Sequence, residues 1–208
     1  MEPLHLNDGT HLRVRPIRST DRHALAREFE RLSPESRRRR FLAPKPMLSE
    51  IELRRLTDID HRSHEALVAI EMESGRGVAV ARYAGSPERS EFAITVADDW
   101  QGRGIGGALS RRLLIRAREE GVRALEASVL ADNHSARALL SGLGFKVSSV
   151  ASGVAELRLP LGDPRAVARG RELAVHASTP RHATGNARSR IAIGSPASGS
   201  PRRLRRSS

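Results

Sequence analysis

Residues 101–106 read Gln-Gly-Arg-Gly-Ile-Gly, and the character of the chain changes on either side of them. Before them, Glu91–Val96 is rich in β-forming residues. After them, apolar side chains recur at three- and four-residue spacing until Gly121, which is typical of an amphipathic helix. A turn of this kind gathers backbone N–H groups at a helix N-terminus, where anions bind. The segment therefore predicts a site for a phosphate-bearing cofactor.

The composition of this turn suits a pyrophosphate, because glycine removes the Cβ atoms that would block its approach to the main chain. Arg103 adds a positive charge beside it. A P-loop is excluded, since no Gly-Lys pair is present and the only lysines are Lys45 and Lys146. The glycine interval also differs from that of a dinucleotide fold, although enough likeness remains to favour a cofactor site.

The pattern on either side of the turn predicts a mixed α/β fold (α+β) in one domain. An extended segment containing Leu12, Val14 and Ile17 precedes a helix through residues 24–32, a further helical turn or two from Ser33 and an amphipathic helix from Ser49. A strand meander follows them. Downstream, strands and helices alternate. The predicted segments after the early helices are strands at 66–70, 78–83, 91–96, 125–130, 145–150 and 154–159, a helix from 105 to about 121 and a short helix at 135–141.

The length of 208 residues allows one well-filled core with a tail. The chain contains no cysteine, which excludes disulfides, thiolate metal sites and cysteine nucleophiles. It has no run of 18 apolar residues and no signal-peptide pattern at its start. We therefore expect a cytoplasmic protein without a membrane partner.

The net charge of +12 is concentrated in residues 163–208, where ten arginines face two acids. This segment is also rich in Ser, Gly and Pro, so we expect residues 1–161 to form the folded domain and residues 162–208 a basic, disordered tail. The tail cluster Arg202–Arg206 is a candidate for contact with nucleic acid, although a solvated tail without a role is the favoured interpretation. The folded part has few aromatic residues for stacking on bases, which disfavours nucleic-acid binding there.

The turn at Gln101–Gly106 resembles the Gln/Arg-x-x-Gly-x-Gly/Ala signature of the GNAT superfamily of N-acetyltransferases. Further along, Asn133–Leu140 is similar to the family's Asn-x-x-Ala helix, and Gly142–Phe145 to the Gly-Phe strand after it. The resemblance covers roughly residues 12–161. It implies a central, mostly antiparallel twisted sheet, flanked by helices, with a V-shaped opening between the fourth and fifth strands.

The resemblance also implies a cofactor, acetyl-CoA, and the residues that hold it. Backbone groups near Val96 would bind the pantetheine as an added strand would, and Asn133 would contact the cofactor as well. The pyrophosphate would be held by Gln101, Gly102, Arg103, Gly104, Ile105 and Gly106. The acetyl group would pass to a primary amine by direct attack in a ternary complex.

Within the superfamily, residues 89–104 look most like bacterial protein-lysine acetyltransferases that modify acyl-CoA synthetases. In that subgroup a glutamate at the position of Glu91 is the general base, which the chemistry requires because an amine must lose a proton before it attacks the thioester. The alternative is an ordinary solvent-facing strand glutamate. Many family members have a tyrosine as general acid where this chain has Leu140, and the sole tyrosine, Tyr83, lies on an earlier strand, so the acid is left open.

Other charged groups have simpler interpretations. The pair His61 and His64 lacks a third ligand at a defined interval, so no metal site is predicted. The run Arg37–Arg40 is expected to be a solvated helix surface, and Asp98–Asp99 a turn. Three acids before the first meander strand are candidates for recognising a cationic amine: Asp58, Asp60 and Glu65.

Three functions follow in order of preference. The first is acetylation of a protein lysine, and the second is acetylation of a small amine such as an aminoglycoside, polyamine or amino acid. The third is a noncatalytic acetyl-CoA sensor or RNA-tethered module. The protein would act as a monomer or a homodimer.

Overall fold

A single mixed sheet of eight strands forms the centre of the computed structural model, which describes residues 2–6 and 8–162. The strand order is β1-β2-β3-β4-β5-β6-β8-β7, and all neighbours are antiparallel except the parallel pair β5 and β6. The strands are β1 (Glu2–His5), β2 (His11–Pro16), β3 (His64–Glu71), β4 (Gly77–Ser86), β5 (Arg89–Val96), β6 (Ala124–Leu130), β7 (Lys146–Ala151) and β8 (Val154–Pro160).

Five α-helices cover the sheet, and their starts follow from local capping. Ser33 accepts a hydrogen bond from the Ser36 N–H, with Pro34 in the first turn, so the second helix begins there. Ser49 and Glu52 form a capping box at the third helix. The helices are α1 (Arg22–Arg31), α2 (Pro34–Phe41), α3 (Glu50–Thr57), α4 (Ile105–Glu119) and α5 (His134–Gly142).

Each of these strands and helices was predicted from the sequence except β1. That strand contributes one inward side chain, Leu4, which is 7% exposed and joins the core. It pairs with β2 from Glu2 opposite Val14 to His5 opposite His11. The strand was not predicted because it is short and has few apolar residues, so its sequence does not indicate the hairpin. The tail predicted from residue 162 lies, apart from Gly162, outside the described residues.

The predicted opening in the sheet is confirmed, and it lies between β5 and β6, which are the fourth and fifth of the predicted strands because β1 was not predicted. These strands pair at only two positions, Ser90 with Leu125 and Glu91 with Glu126. Beyond Glu91 they separate, while β5 stays paired with β4 as far as Val96. One side of β5 is therefore without a strand partner between Phe92 and Val96, next to the glycine-rich turn.

Candidate active site

A cavity of about 640 Å³ occupies the opening between β5 and β6. Its walls come from β5, the turn after it, the first residues of α4, the middle of β6, α5 and the end of α2. Eight of the nine residues that the sequence predicted for the site line it: Glu91, Val96, Gln101, Gly102, Gly104, Ile105, Gly106 and Asn133. The ninth, Arg103, does not.

The glycine-rich turn leads directly into α4. Gly104 is the N-cap of that helix with φ +81°, a conformation that favours glycine, and no side chain caps the first N–H groups. Gly106 allows close packing, since a Cβ there would lie 3.3 Å from the Leu139 side chain and 3.7 Å from that of Val96. The turn thus presents uncapped N–H groups and the positive end of the α4 dipole to the cavity.

Gln101 and Asp98 fix this turn to the rest of the fold. The Gln101 side-chain amide donates to the Val96 carbonyl at 3.2 Å and to Asp98 at 3.0 Å. Asp98 also accepts from the Ser33 N–H at 2.6 Å and from the Ser36 hydroxyl. The same carboxylate therefore holds both the turn and the start of α2.

The Arg103 side chain is directed away from the cavity. Its guanidinium contacts the Asp8 carboxylate at 2.6 Å, donates to Thr10 Oγ1 and lies 4.2 Å from the Trp100 ring centroid. Hydrogen bonds from Thr10 and Arg103 lower the pKa of Asp8 to about 2. The Arg103 side chain thus binds the β1–β2 turn, whereas its backbone forms part of the glycine-rich turn.

Asn133 has a structural task at the edge of the cavity. It is 9% exposed and is the N-cap of α5, where its Oδ1 accepts from the Ala136 N–H at 3.2 Å. Its side-chain NH₂ remains a donor for a ligand. The preference of asparagine for a helix start therefore explains the residue without a cofactor, and its position in the lining allows a second role.

Glu91 lies where β5 and β6 begin to separate. It is exposed and lines the cavity. Directly opposite on β6, Glu126 is held by Arg89 at 2.5 Å and is not among the lining residues. Of this opposed pair of carboxylates, Glu91 is the one that faces the cavity.

The arginine run of α2 departs from the expected solvated surface. All four side chains from Arg37 to Arg40 are partly buried, and Arg39 and Arg40 line the cavity. The reason is long-range, because α2 packs against β5 and β6. Arg38 reaches across to Asp132 after β6, at 3.2 Å. The sequence signal for these cavity residues was the run of four arginines in an eight-residue helix. Helix geometry alone predicted that these side chains face solvent.

The acids proposed for amine recognition do not line the cavity. Glu65 is fully buried and bonded to His61 at 2.8 Å and Arg116 at 3.3 Å. Asp60 accepts from Ser63 and from backbone N–H groups in its own turn, and those bonds lower its pKa. Glu65 and Asp60 are therefore paired within the protein and stabilise the segment around the start of β3, so the structure does not place them for amine recognition.

The two positions considered for a general acid carry no free hydroxyl at the cavity. Tyr83 is fully buried, and its hydroxyl donates to the Arg62 carbonyl at 3.0 Å. Leu140 is 2% exposed and contributes only apolar surface to the lining. Within residues 2–6 and 8–162 there is no group of three or more His, Asp or Glu side chains placed to bind a metal, and no helix long and apolar enough to cross a bilayer.

The family model for the acetyltransferase (GNAT) family matches residues 26–145. Acetyltransferase PA5475 of Pseudomonas aeruginosa is 40% identical over 144 residues, which cover 67% of this chain and 77% of that protein. Acetyltransferase Pat of Mycolicibacterium smegmatis is 32% identical over 146 residues, 68% of this chain but only 43% of that longer protein.

Among solved structures, the GNAT domain of S. lividans PAT superposes with a TM-score of 0.71 at 32% identity, covering 76% of this chain and 96% of that one. A structure of yncA from Salmonella typhimurium with its cofactor acetyl-CoA has a TM-score of 0.60 at 20% identity, covering 72% and 94% of the two chains, and supports the fold alone. The chain therefore belongs to the GNAT family of acetyltransferases, enzymes that take their acetyl group from acetyl-CoA.

Proposed function

We propose that this enzyme acetylates a lysine side chain of a protein, with Glu91 as the general base. The observation that carries the proposal is that one cavity is lined both by the uncapped turn before α4 and by Glu91. A cofactor held at the turn and a base at Glu91 would therefore share one space. A protein acceptor is supported by the resemblance of residues 89–104 to bacterial protein-lysine acetyltransferases, and the chain is 32% identical to the acetyltransferases named Pat and PAT over the matched region.

In this proposal acetyl-CoA lies along the free side of β5. The N–H groups of Gly102, Gly104 and Gly106 would hold the pyrophosphate, and the backbone near Val96 would bind the pantetheine amides as an added strand does. Gln101 would keep the turn in place, Ile105 would pack below it and Arg103 would contribute its backbone. The NH₂ group of Asn133 would donate to the cofactor.

Calorimetric titration with acetyl-CoA tests the cofactor site. Gly106→Glu would place a carboxylate against Val96 and Leu139, where an anionic ligand must approach, and should weaken binding by about 100-fold or more. Gly142→Glu is the matched control, because a Cβ there meets nothing within 4 Å and the residue does not line the cavity. Equal affinity of a folded Gly106→Glu variant would contradict the proposed site.

The chemical step follows from the position of Glu91. A lysine amine is protonated at neutral pH, so the base must take a proton, directly or through water, before the nitrogen attacks the thioester carbonyl. The tetrahedral intermediate then expels the CoA thiolate, a good leaving group that takes up a proton from solvent. No acetyl-enzyme intermediate forms on this route, because the acceptor amine attacks the thioester directly.

Glu91→Gln should lower kcat by about 10²- to 10⁴-fold, and the loss should shrink as pH approaches the pKa of the acceptor amine. Glu126→Gln is the matched control, since it makes the same change on the opposite strand outside the cavity lining. An unchanged kcat in Glu91→Gln, or an equal loss in both variants, would exclude the assigned role.

The acceptor is tested by incubating the enzyme and acetyl-CoA with a purified acyl-CoA synthetase and locating acetyl-lysine by mass spectrometry. A parallel assay with polyamines, aminoglycosides and amino acids covers the second candidate function. Faster turnover of a small amine than of any protein lysine would overturn the protein-acceptor proposal. We also propose that the protein is cytoplasmic and that residues 162–208 form a tail separate from the catalytic domain.

A further inference from the structure

Two buried or partly buried arginines share the face of the sheet on which Glu91 lies. Arg82 on β4 is paired with Ala93, and the next position on the same face pairs Ala84 with Glu91. Side chains two residues apart on neighbouring strands of one face are within reach of each other. Arg40, at the end of α2, lies over this face and lines both the main cavity and a smaller apolar one of about 70 Å³ beneath the early helices.

Arg82 is fixed by the protein. It is 7% exposed, donates to the Leu56 carbonyl at 3.2 Å and lies 3.4 Å from Nε2 of His64. Burial and the charge of Arg40 lower the pKa of Arg82 to about 9, so the side chain still carries its charge at neutral pH. Burial and the charge of Arg82 also lower the pKa of His64, which favours a neutral ring there.

Arg40 differs from the three arginines before it. Arg37 donates to backbone carbonyls, whereas Arg38 and Arg39 both bind Glu35. In the described part of the chain Arg40 makes no hydrogen bond or ion pair; it stacks on Phe41, 5.0 Å from the ring centroid, and feels the charge of Glu91. Among the described residues the Arg40 guanidinium, which lines the same cavity as Glu91, is thus left without a hydrogen-bond or ion-pair partner.

A partly buried guanidinium that lines a cavity without a protein partner is a candidate ligand-binding group, since a bound anion would pair its charge. The cofactor does not supply the missing anion. Its phosphates belong at the turn before α4, about five residues along β5 from Glu91, and its acetyl group is uncharged. The start of α2 is bonded to Asp98 beside that turn, and Arg40 lies one helical turn beyond Ser36, toward Glu91.

We propose that Arg40, supported by Arg82, binds a carboxylate of the acceptor, so that the target lysine is flanked by an acidic residue. A site that sets Glu91 beside an unpaired guanidinium complements an ammonium group with a carboxylate beside it. The same arrangement repels polycationic amines such as polyamines and aminoglycosides. This inference deepens the proposed function and rests on it, because it describes the acceptor of the same cavity.

The test compares two peptides that differ only in the residue after the lysine, Glu or Gln, at saturating acetyl-CoA. The wild-type enzyme should favour the Glu peptide by about tenfold in kcat/KM, and Arg40→Gln should abolish that preference. Arg39→Gln is the matched control, because Arg39 lines the same cavity but is already paired with Glu35. Equal use of both peptides by the wild type, or a preference that survives in Arg40→Gln, would overturn the inference.

A second readout separates this inference from the proposed function. If neither peptide is turned over, titration of the enzyme–CoA complex with the two acetyl-lysine products measures the same preference as a Kd ratio. Loss of that ratio in Arg40→Gln, with unchanged affinity for acetyl-CoA, supports the carboxylate site even where catalysis fails. Tighter binding of succinyl-CoA than acetyl-CoA, lost in Arg40→Gln, would assign the anion to the acyl donor and overturn the inference.

Discussion

Replacing Gly85 with alanine should damage both the stability of the fold and the placement of Glu91. Gly85 lies in β4 beside the turn to β5 with φ +147°, and a Cβ there would be 2.5 Å from the Arg89 carbonyl oxygen and 2.8 Å from the Ser90 Cα. Both contacts are with backbone, which no side-chain rotation relieves. The start of β5 must therefore move, and the residue that follows Ser90 is Glu91.

The expected cost combines two terms of known size. An unfavourable φ costs an alanine about 1–2 kcal/mol, and steric overlap in a packed site adds about 1–3 kcal/mol. The sum of about 2–5 kcal/mol corresponds to a fall in Tm of about 4–20 °C for a domain of this size. Gly75→Ala is the control for the first term alone, since Gly75 has φ +70° and a Cβ there meets nothing within 4 Å.

Urea and thermal unfolding of the wild type, Gly85→Ala and Gly75→Ala measure the cost of the positive φ and the cost of the steric overlap. Gly85→Ala should lose at least about 1 kcal/mol more than Gly75→Ala. At a temperature where both variants are folded, kcat should fall about tenfold or more in Gly85→Ala only, because a shift of about 1 Å at a reacting group costs up to about 10²-fold in rate. Equal stability losses in the two variants would refute the contact reasoning, and unchanged kcat would refute the link to Glu91.

Three further outcomes are expected. Arg103→Ala should keep the Kd for acetyl-CoA within about twofold while lowering Tm, because its guanidinium binds Asp8 and Thr10; calorimetry and thermal unfolding check this, and a tenfold weaker Kd would contradict it. Tyr83→Phe should lose about 1 kcal/mol of stability and no kcat, and a large loss of kcat would instead identify the hydroxyl as the acid. Burial and the Arg82 charge lower the pKa of His64 below its ordinary 6.5, so the unfolded chain binds a proton that the folded chain does not. The free energy of unfolding should therefore fall as pH drops below that value, and His64→Gln should reduce the slope measured from about pH 7 to pH 5, whereas an unchanged slope would exclude His64 as its source.

Most of the fold was predictable because its elements leave local marks. The continuous apolar run Ala66–Ile70 indicates a buried strand, and the spacing of apolar residues along α4 indicates an amphipathic helix. The glycine-rich turn marks the junction between strand and helix. Strand β1 was not predictable in the same way, since Leu4 is its only buried side chain. Its formation depends on pairing with β2.

The site was predictable where backbone conformation decides it and not where a distant partner does. Gly104 must adopt a positive φ wherever the chain folds, so its role is visible in sequence. The direction of Arg103 depends on Asp8, 95 residues away, and the position of Arg40 depends on how α2 packs on β5. Neither contact can be predicted from the spacing of residues along the chain.

The three hydrogen bonds that converge on Asp98 have a consequence for how the two substrates communicate. One carboxylate holds Gln101 of the glycine-rich turn and also Ser33 and Ser36 at the start of α2, the helix that carries Arg40 near its end. If acetyl-CoA binds at the turn as proposed, a movement of the turn would be passed through Asp98 to α2 and Arg40. Thermodynamic linkage makes such coupling reciprocal, so occupancy of the acceptor site changes the affinity for acetyl-CoA by the same factor. A substitution at Asp98 would alter both affinities while touching neither ligand.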